Sequence, residues 1–209
     1  MVTNTERHLR ADAARNVGRI LRAARAAFAE DGPDVLLEEI ARRAGVGIRT
    51  LYRHFPHKGD LVRAILDQSV AEDLTPAVAR ALDDENPLRG FTTLIEAAMT
   101  VVAREQNTLA AAKNAGSLTP DLSIAFFEAL TELTQRAQRA GLVRADLVPG
   151  DLPRVMAMLT SVLWSMDPES EGWRRYLTLV LDGLSPTAAS TLPPTAPILK
   201  SQRPDNWLG

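Results

Sequence analysis

Residues 37–58, LEEIARRAGVGIRTLYRHFPHK, decide the fold that the sequence predicts. The first half of this stretch places apolar residues at helical spacing, and Gly45 follows directly, where a positive φ ends a helix without strain. Apolar spacing resumes at Val46 and stops before Pro56, which excludes helical geometry at the residue preceding it. Two short helices joined by a glycine turn are typical of a helix-turn-helix unit, whose second helix enters the DNA major groove.

Basic side chains crowd the polar side of the same stretch: Arg42, Arg43, Arg49, Arg53, His54, His57 and Lys58. A basic run alone is more often a solvated helix surface, but on the outward face of a helix–glycine–helix unit it favours DNA binding. Residues 1–60 carry 11 Lys/Arg against 8 Asp/Glu, a net charge of +3, whereas the whole chain has a net charge of −2. This uneven charge is typical of a basic DNA-binding part on an acidic remainder.

The segment IARRAGVGIRTLYRHFPHKGDLVRAI, residues 40–65, resembles the DNA-binding domain of the TetR family of bacterial repressors. The resemblance runs from about Arg15 to Leu66 and rests on Ile40-Ala41, Ala44-Gly45-Val46, Thr50-Leu51-Tyr52, His54-Phe55, Lys58 and Leu61. The chain departs from the family pattern at Leu36, where Ser or Thr is usual, and at Arg49, where a small residue is common. Beyond Leu66 the resemblance covers only length and helical character.

The residues expected to contact DNA lie on and around the second helix of this unit. The resemblance places Thr50, Tyr52 and His54 at the DNA, mostly on phosphate. Arg49 lies near the start of the recognition helix, where base edges are within reach, so we expect it to contact a guanine or a phosphate. Lys58 lies in the first turn of the next helix, where it is expected to hold a phosphate. The complete predicted set is Arg15, Gly47, Arg49, Thr50, Tyr52, Arg53, His54 and Lys58. For Arg19, Arg22 and Arg25 a plain solvated face is an equal alternative.

Several classes of function are disfavoured by what the sequence lacks. Without cysteine the chain has no disulfide, no thiolate metal site and no cysteine nucleophile. No glycine-rich phosphate loop, HExxH or GxSxG motif is present, so we expect no catalytic residues, no cofactor and no enzyme activity. His54 and His57 flank Pro56, which breaks the register that a shared metal ion needs, so no metal is expected. No apolar run approaches 18 residues, which predicts a cytoplasmic protein with no membrane partner.

Helical periodicity continues through most of the chain and predicts an all-α protein. The expected helices cover residues 11–30, 37–44, 48–54, 58–82 with a kink at Pro76, 88–104, 105–114 as a weak helix, 121–140, 151–166 and 170–183. Residues 1–10 are expected to form a mobile arm, in which Arg7 and Arg10 are possible DNA contacts. The tail has five prolines in residues 185–209, so disorder is favoured over docking on the body.

These elements predict an N-terminal three-helix helix-turn-helix head, residues 1–57, and a larger helical body, residues 58–184, for ligand binding and dimerisation, followed by the Pro-rich tail, residues 185–209. The expected ligand pocket is apolar and lined by Phe91, Leu94, Ile95, Met99, Phe126, Phe127 and Leu130; a filled core is the alternative. The last two helices are apolar on more than one face, which predicts a dimer interface or an ordinary core pair. The expected interface residues are Met156, Leu159, Leu163, Trp164, Trp173, Tyr176, Leu177 and Val180, with Trp164 and Trp173 as anchors.

The function predicted from these features is that of a ligand-responsive transcriptional regulator. The resemblance implies a repressor more than an activator, with a palindromic double-stranded DNA operator, a second copy of the chain and an unknown apolar small molecule as partners. The alternative is a non-catalytic helical interaction protein that does not bind DNA, which the loss of a Ser or Thr at Leu36 would favour.

Overall fold

The computed structural model describes residues 4–167, 170–187 and 190–194, and it describes side chains from residue 12 onward within those ranges. Every regular element among these residues is helical, so the all-α prediction is confirmed. The α-helices are, in chain order, α1 (Asn4–Asp31), α2 (Leu37–Ala44), α3 (Ile48–His54), α4 (Lys58–Ser69), α5 (Thr75–Asp83), α6 (Pro87–Arg104), α7 (Gln106–Asn114), α8 (Ile124–Arg139), α9 (Leu152–Leu163) and α10 (Trp173–Gly183). A π-helical turn, Val70–Leu74, separates α4 from α5, and 3-10 turns precede α8 (Pro120–Ser123) and α9 (Pro149–Asp151).

The helix-turn-helix unit has the bounds that the sequence predicts. Gly45 ends α2 with φ 63° and ψ 35°, a left-handed conformation that glycine adopts without steric cost. Its N–H donates to the Arg42 carbonyl at 3.2 Å, and the Val46 N–H donates to the Ala41 carbonyl at 3.0 Å. These two bonds satisfy carbonyls at the end of α2 and set the direction in which the chain enters α3.

The core around this unit is built from the apolar stripes of neighbouring helices. Phe28 on α1, Ile40 on α2, Leu51 on α3 and Ile65 on α4 are each fully buried. Burying a side chain of this size stabilises a fold by roughly 1.5–3 kcal/mol. Because Leu51 is enclosed on one side of the short helix α3, the opposite side of α3 is directed to solvent.

The start of α1 differs from the sequence prediction. The mobile arm expected over residues 1–10 is wrong from Asn4 onward, because α1 begins there. The residues TERHLR after Asn4 include Glu, Arg and Leu, which are good helix formers and extend a helix without an apolar stripe. The predicted DNA contacts of Arg7 and Arg10 lie outside the described side chains, as does the tail beyond residue 194.

Residues 58–83 are helical throughout, in agreement with the helix expected over residues 58–82, and the irregularity expected at Pro76 lies in the turn before it. Proline has no N–H and disturbs the hydrogen bonds of the preceding turn of a helix. Immediately before it the chain forms the π-helical turn Val70–Leu74, in which the Thr75 N–H donates to the carbonyl of Val70, five residues back. The irregularity predicted at Pro76 is therefore a widened helical turn between α4 and α5.

Contacts divide the chain into two compact units whose bounds differ from the division predicted at residue 57. The first unit contains the chain up to Gln68 together with Glu105–Leu118, and the second contains Ser69–Arg104 and the residues from Thr119 onward. Helices α4 and α7 thus belong to the unit that contains the helix-turn-helix. The assignment of DNA binding, regulation and tail to separate segments stays a prediction.

The second unit has its own apolar core, formed by α5, α6, α8, α9, α10 and the π-helical turn. At one point the packing is so close that only glycine fits: a Cβ on Gly90 of α6 would lie 2.4 Å from the Ala81 carbonyl oxygen and 3.1 Å from a Leu133 methyl group. Real Cβ atoms do not approach a carbonyl this closely, so Gly90 permits α5 and α6 to pack together.

Among the described residues, no helix combines the length and the apolar character that a membrane span requires.

Candidate nucleic-acid interface

Helix α3 presents its polar face because its apolar residues are held in the core. Gly47 is the N-cap of α3, in an extended conformation with φ −67° and ψ 144°. Its carbonyl accepts hydrogen bonds from the N–H groups of Thr50 at 2.8 Å and Leu51 at 3.2 Å, which form the first turn of the helix. Leu51 is fully buried and Phe55 is 7% exposed. Arg49 and Arg53 consequently lie on the solvent side.

The arginines of this unit fall into two electrostatic groups. Arg49 and Arg53 are exposed and have no carboxylate partner among the described residues. Arg42 on α2 donates to both oxygens of Glu39, at 2.7 and 2.8 Å. A guanidinium already paired with a carboxylate contributes less to attracting a phosphate. Of the two helices α2 and α3, it is therefore α3 that carries arginines whose charge no carboxylate compensates.

Arg43 is neutralised more completely than Arg42. Its guanidinium nitrogens lie 2.6 Å from a Glu30 oxygen, 2.6 Å from an Asp31 oxygen and 2.7 Å from a Glu39 oxygen. Hydrogen bonds from Arg42 and Arg43 lower the pKa of Glu39 from 4.5 to about 2. This network ties the C-terminal end of α1 to α2. Although the sequence places Arg42 and Arg43 in the basic cluster, both have structural partners.

Lys58 has a structural position that the sequence does not reveal. Its ammonium donates to the carbonyls of Pro33 at 2.8 Å and Val35 at 2.9 Å, and it lies 5.5 Å from the centre of the Phe28 ring. Burial lowers the pKa of Lys58, and the nearby Asp34 carboxylate opposes this shift. The ammonium thus stabilises the loop between α1 and α2. These two bonds use two of its three N–H donors.

The other predicted contacts of α3 differ in exposure. Tyr52 is 44% exposed, which leaves its ring and hydroxyl accessible at the surface. Thr50 and His54 are half-buried. The Nε2 atom of His54 is buried and has no hydrogen-bond partner among the described residues. The exposed members of the predicted set on α3 are therefore Arg49, Tyr52 and Arg53. The contacts of all the predicted residues of α3 with DNA stay predictions.

Helix α1 contributes basic residues of unequal character. Arg15, which is in the predicted set, is exposed and paired with Asp12. Arg19, which is not in the set, lies against the turn of the helix-turn-helix unit, where one of its nitrogens is 3.9 Å from the position of a Cβ on Gly45. The sequence gives little indication of this position, because helical spacing alone does not tell which arginine of α1 faces the turn.

The predicted pocket residues come together in the second unit. They belong to one apolar cluster, in which Phe127 is half-buried and the other six are between 0% and 5% exposed. The rings of Phe126 and Phe127 meet edge to face, with their centres 5.1 Å apart. The hydroxyl of Thr92 on α6 donates to the Leu88 carbonyl of its own helix at 2.9 Å. These residues form an apolar cluster, and a ligand pocket among them stays a prediction.

The predicted interface residues are mostly internal. Met156, Leu159, Leu163, Trp173 and Leu177 are between 1% and 7% exposed and belong to the core of the second unit, and Val180 is half-buried. Trp173 is not available as an interface anchor, because it is 3% exposed with the Arg174 guanidinium 4.6 Å above its ring. Two members of the predicted set, Trp164 and Tyr176, are exposed. Met158 on α9 and Leu179 on α10, which are not in the set, are exposed as well.

Comparison with known proteins identifies the family. An HTH-type transcriptional regulator of Mycobacterium tuberculosis is 30% identical over 161 residues, covering 74% of this chain and 81% of that protein. A TetR transcriptional regulator of Streptomyces coelicolor, with a crystal structure, is 33% identical, with a TM-score of 0.60 over 82% of this chain and 99% of that one. The chain belongs to the TetR family of bacterial transcriptional regulators. It is a DNA-binding transcription factor and not an enzyme.

Two family models match separate parts of the chain. The model described as bacterial regulatory proteins, tetR family, matches residues 20–65, and the model described as transcriptional regulator SbtR-like, C-terminal domain, matches residues 86–186. A TetR transcription regulatory protein of Mycobacterium vanbaalenii is 36% identical, with a TM-score of 0.55 over 85% of this chain and 99% of that one. The fold class, with a helix-turn-helix and a helical body, is thereby confirmed.

Proposed function

We propose that this TetR-family regulator is a ligand-responsive repressor that binds a palindromic operator as a homodimer. The observation that carries the proposal is the pair Arg49 and Arg53, exposed on α3 without carboxylate partners among the described residues. On the opposite side of α3, the buried side chain of Leu51 holds the helix against the core. A guanidinium near the start of a recognition helix is suited to the O6 and N7 acceptors of a guanine, and its neighbours to phosphates.

A homodimer is supported by the surface of the last two helices. Met158 is 59% exposed and Leu179 57% exposed, and Tyr176 and Trp164 are 38% and 39% exposed. Large apolar side chains grouped on neighbouring helices are typical of a surface that a partner covers. A two-fold dimer presents two copies of α3, which matches an operator made of two inverted half-sites.

A small-molecule effector is supported by the apolar cluster of the second unit. Apart from the half-buried Phe127, its predicted lining residues are buried and carry no charged group, which suits a largely apolar molecule better than a phosphorylated one. Such a ligand acts by binding one conformation more tightly than another, so that the recognition helices no longer match the half-site spacing. A DNA-binding regulator of bacterial type works in the cytoplasm, which completes the proposal.

Selection of DNA duplexes from a random-sequence library by the full chain tests this function. We expect enrichment of an inverted repeat whose half-sites are about one helical turn, or a multiple of it, apart. A screen of apolar and anionic small molecules for release of the selected duplex then tests the effector. Release by an apolar compound that is blocked in Met99→Trp, with DNA binding retained, supports the pocket. Enrichment of no duplex contradicts the operator, and release only by anionic compounds contradicts the apolar pocket.

A further inference from the structure

The arginines on α1 differ in whether a carboxylate compensates their charge. Arg15 is paired with Asp12, and Arg25 lies 3.1 Å from an oxygen of Glu105. Arg19 and Arg22 are exposed, and neither has a carboxylate partner within the part of the chain that the structure describes. An uncompensated guanidinium on a DNA-binding unit is a candidate for phosphate contact, provided that it lies where the DNA passes.

The position of Arg19 distinguishes it from Arg22. The Nη1 atom of Arg19 lies 3.9 Å from where a Cβ of Gly45 would stand, so its guanidinium is beside the turn between α2 and α3. The corresponding nitrogen of Arg22 lies 3.5 Å from the Cβ position of Gly18, on α1 itself. Only Val46 lies between Gly45 and Gly47, the N-cap of α3. Arg19 is therefore next to the segment that leads into the recognition helix.

The guanidinium of Arg19 is also held in place. Its Nη2 atom donates to the side-chain oxygen of Asn16, one turn earlier on α1, at 2.6 Å. The acceptor is a neutral amide, so the positive charge is oriented without being cancelled. A planar guanidinium with free N–H donors suits the paired oxygens of a phosphate, and fixing the side chain beforehand reduces the entropy lost on binding.

We propose that Arg19 is a further DNA-contacting residue, which binds a backbone phosphate beside the major groove entered by α3, and that Asn16 positions it. This inference rests on the proposed operator binding and adds to the expected DNA contacts a residue of α1 other than Arg15. Its contact is with the backbone, so it increases affinity for every sequence and positions α3 without selecting a base. Arg22, on the same helix with the same charge and exposure, has no such role.

The test compares four full-length proteins on the duplex selected by the wild type and on a scrambled duplex: wild type, Arg19→Ala, Arg22→Ala and Asn16→Ala. We expect Arg19→Ala to weaken binding to both duplexes by roughly fivefold to twentyfold at 0.1 M salt and to reduce the slope of log K against log salt by about 0.9, the value for one phosphate. Arg22→Ala is expected to stay within about twofold of the wild type, and Asn16→Ala to lie between Arg19→Ala and the wild type with an unchanged salt slope.

The outcomes separate this inference from the proposed function. A wild type that enriches no duplex contradicts operator binding itself. Where the wild type does bind, Arg19→Ala with wild-type affinity and slope overturns the phosphate contact. Equal losses and equal slope changes in Arg19→Ala and Arg22→Ala also overturn it, because they indicate a diffuse charge effect. A loss accompanied by a lower melting temperature and an unchanged slope assigns Arg19 a structural role and overturns the proposal as well.

Discussion

Arg25 forms an ion pair with the buried carboxylate of Glu105 and so joins α1 to the start of α7, with 3.1 Å between Nε of the arginine and Oε1 of the glutamate. The Glu105 side chain is 1% exposed, whereas that of Arg25 is 29% exposed. Thr108 on α7 donates to the other carboxylate oxygen at 3.1 Å. The preceding residue, Arg104, pairs with Asp73 of the second unit at 2.6 Å. Arg104 and Glu105 are adjacent in the chain and opposite in charge, and each forms its ion pair within a different unit.

Substituting Arg25 is expected to lower the free energy of unfolding more than substituting Glu105. Arg25→Ala removes the arginine that contacts a buried carboxylate and should lower the free energy of unfolding by roughly 3–5 kcal/mol. Glu105→Gln leaves an arginine that reaches water and keeps an acceptor for Thr108, so we expect a loss of about 1–2 kcal/mol. Urea denaturation of both variants measures the difference. An Arg25→Ala loss no larger than that of Glu105→Gln contradicts the burial argument.

Lys58 is expected to serve stability as well as DNA binding. Lys58→Ala leaves the carbonyls of Pro33 and Val35 without their donor, so we expect a decrease of about 1–3 kcal/mol in the free energy of unfolding. A weaker affinity for all duplexes and a shallower salt dependence should accompany it if the remaining N–H holds a phosphate. The matched control is Arg53→Ala, which removes an exposed charge of α3 and should leave stability within about 0.5 kcal/mol of the wild type. Unchanged stability in Lys58→Ala would show that the two carbonyls do not depend on the ammonium.

Leu36 occupies the N-cap of α2, with φ −78° and ψ 148°, and no side chain caps the helix there. The residue is 68% exposed, so it fills a cap position and not a core position. Leu36→Ser supplies an oxygen for the free N–H groups of the first turn and should raise the free energy of unfolding by about 1 kcal/mol.

The neighbouring Leu37 provides the control for the cap, because it is 9% exposed. Leu37→Ser should destabilise the protein by about 2 kcal/mol or more, since it removes buried apolar surface and adds a hydroxyl. Thermal denaturation of the two serine variants therefore gives opposite shifts. A lower melting temperature for Leu36→Ser would mean that its side chain contributes packing that its exposure does not reveal.

The helix-turn-helix is the part of the fold that the sequence predicts best, because its signals are local. Gly45 and Pro56 bound two short apolar repeats, and α3 begins and ends at the predicted residues Ile48 and His54. The helical periodicity continues across Pro76, but the backbone hydrogen bonds in the turn before this proline widen to the π-helical pattern of Val70–Leu74. Local sequence patterns thus predict where helices form. The structure differs from the prediction where a single residue, such as Pro76, alters the backbone hydrogen bonds.

The candidate site is less predictable, because charge compensation depends on residues distant in the chain. Arg43 and Arg49 look equivalent in the sequence, yet Arg43 pairs with Glu30 and Asp31, 13 and 12 residues away. Trp173 illustrates the same limit for apolar residues. When a helix is apolar on two faces, its sequence does not show which face packs into the core of its own chain and which face stays exposed.

The ion pairs of Glu39 predict a dependence of stability on pH. Hydrogen bonds from Arg42 and Arg43 lower the folded-state pKa of Glu39 from 4.5 to about 2. The charged carboxylate therefore stabilises the folded state above pH 4.5, and this stabilisation is lost as the pH falls from 4.5 towards 2. Glu39→Gln should reduce the loss of stability over that range, whereas the adjacent exposed Glu38→Gln should leave it unchanged. Identical pH profiles for Glu39→Gln and the wild type would contradict the assignment.

The exposed apolar surface of α9 and α10 predicts which substitutions separate the proposed dimer. Leu179→Glu and Met158→Glu place a charge where an interface would exclude water, and each should weaken dimerisation by at least about 100-fold. Ile124 on α8 is 52% exposed, so Ile124→Glu is a control of matched size and exposure that should leave the dimer intact. Sedimentation over a range of protein concentrations measures the association, and affinity for a single half-site should be retained while cooperative binding to the full operator is lost. A monomeric wild type contradicts the homodimer, and equal dissociation by all three substitutions contradicts the location of its interface.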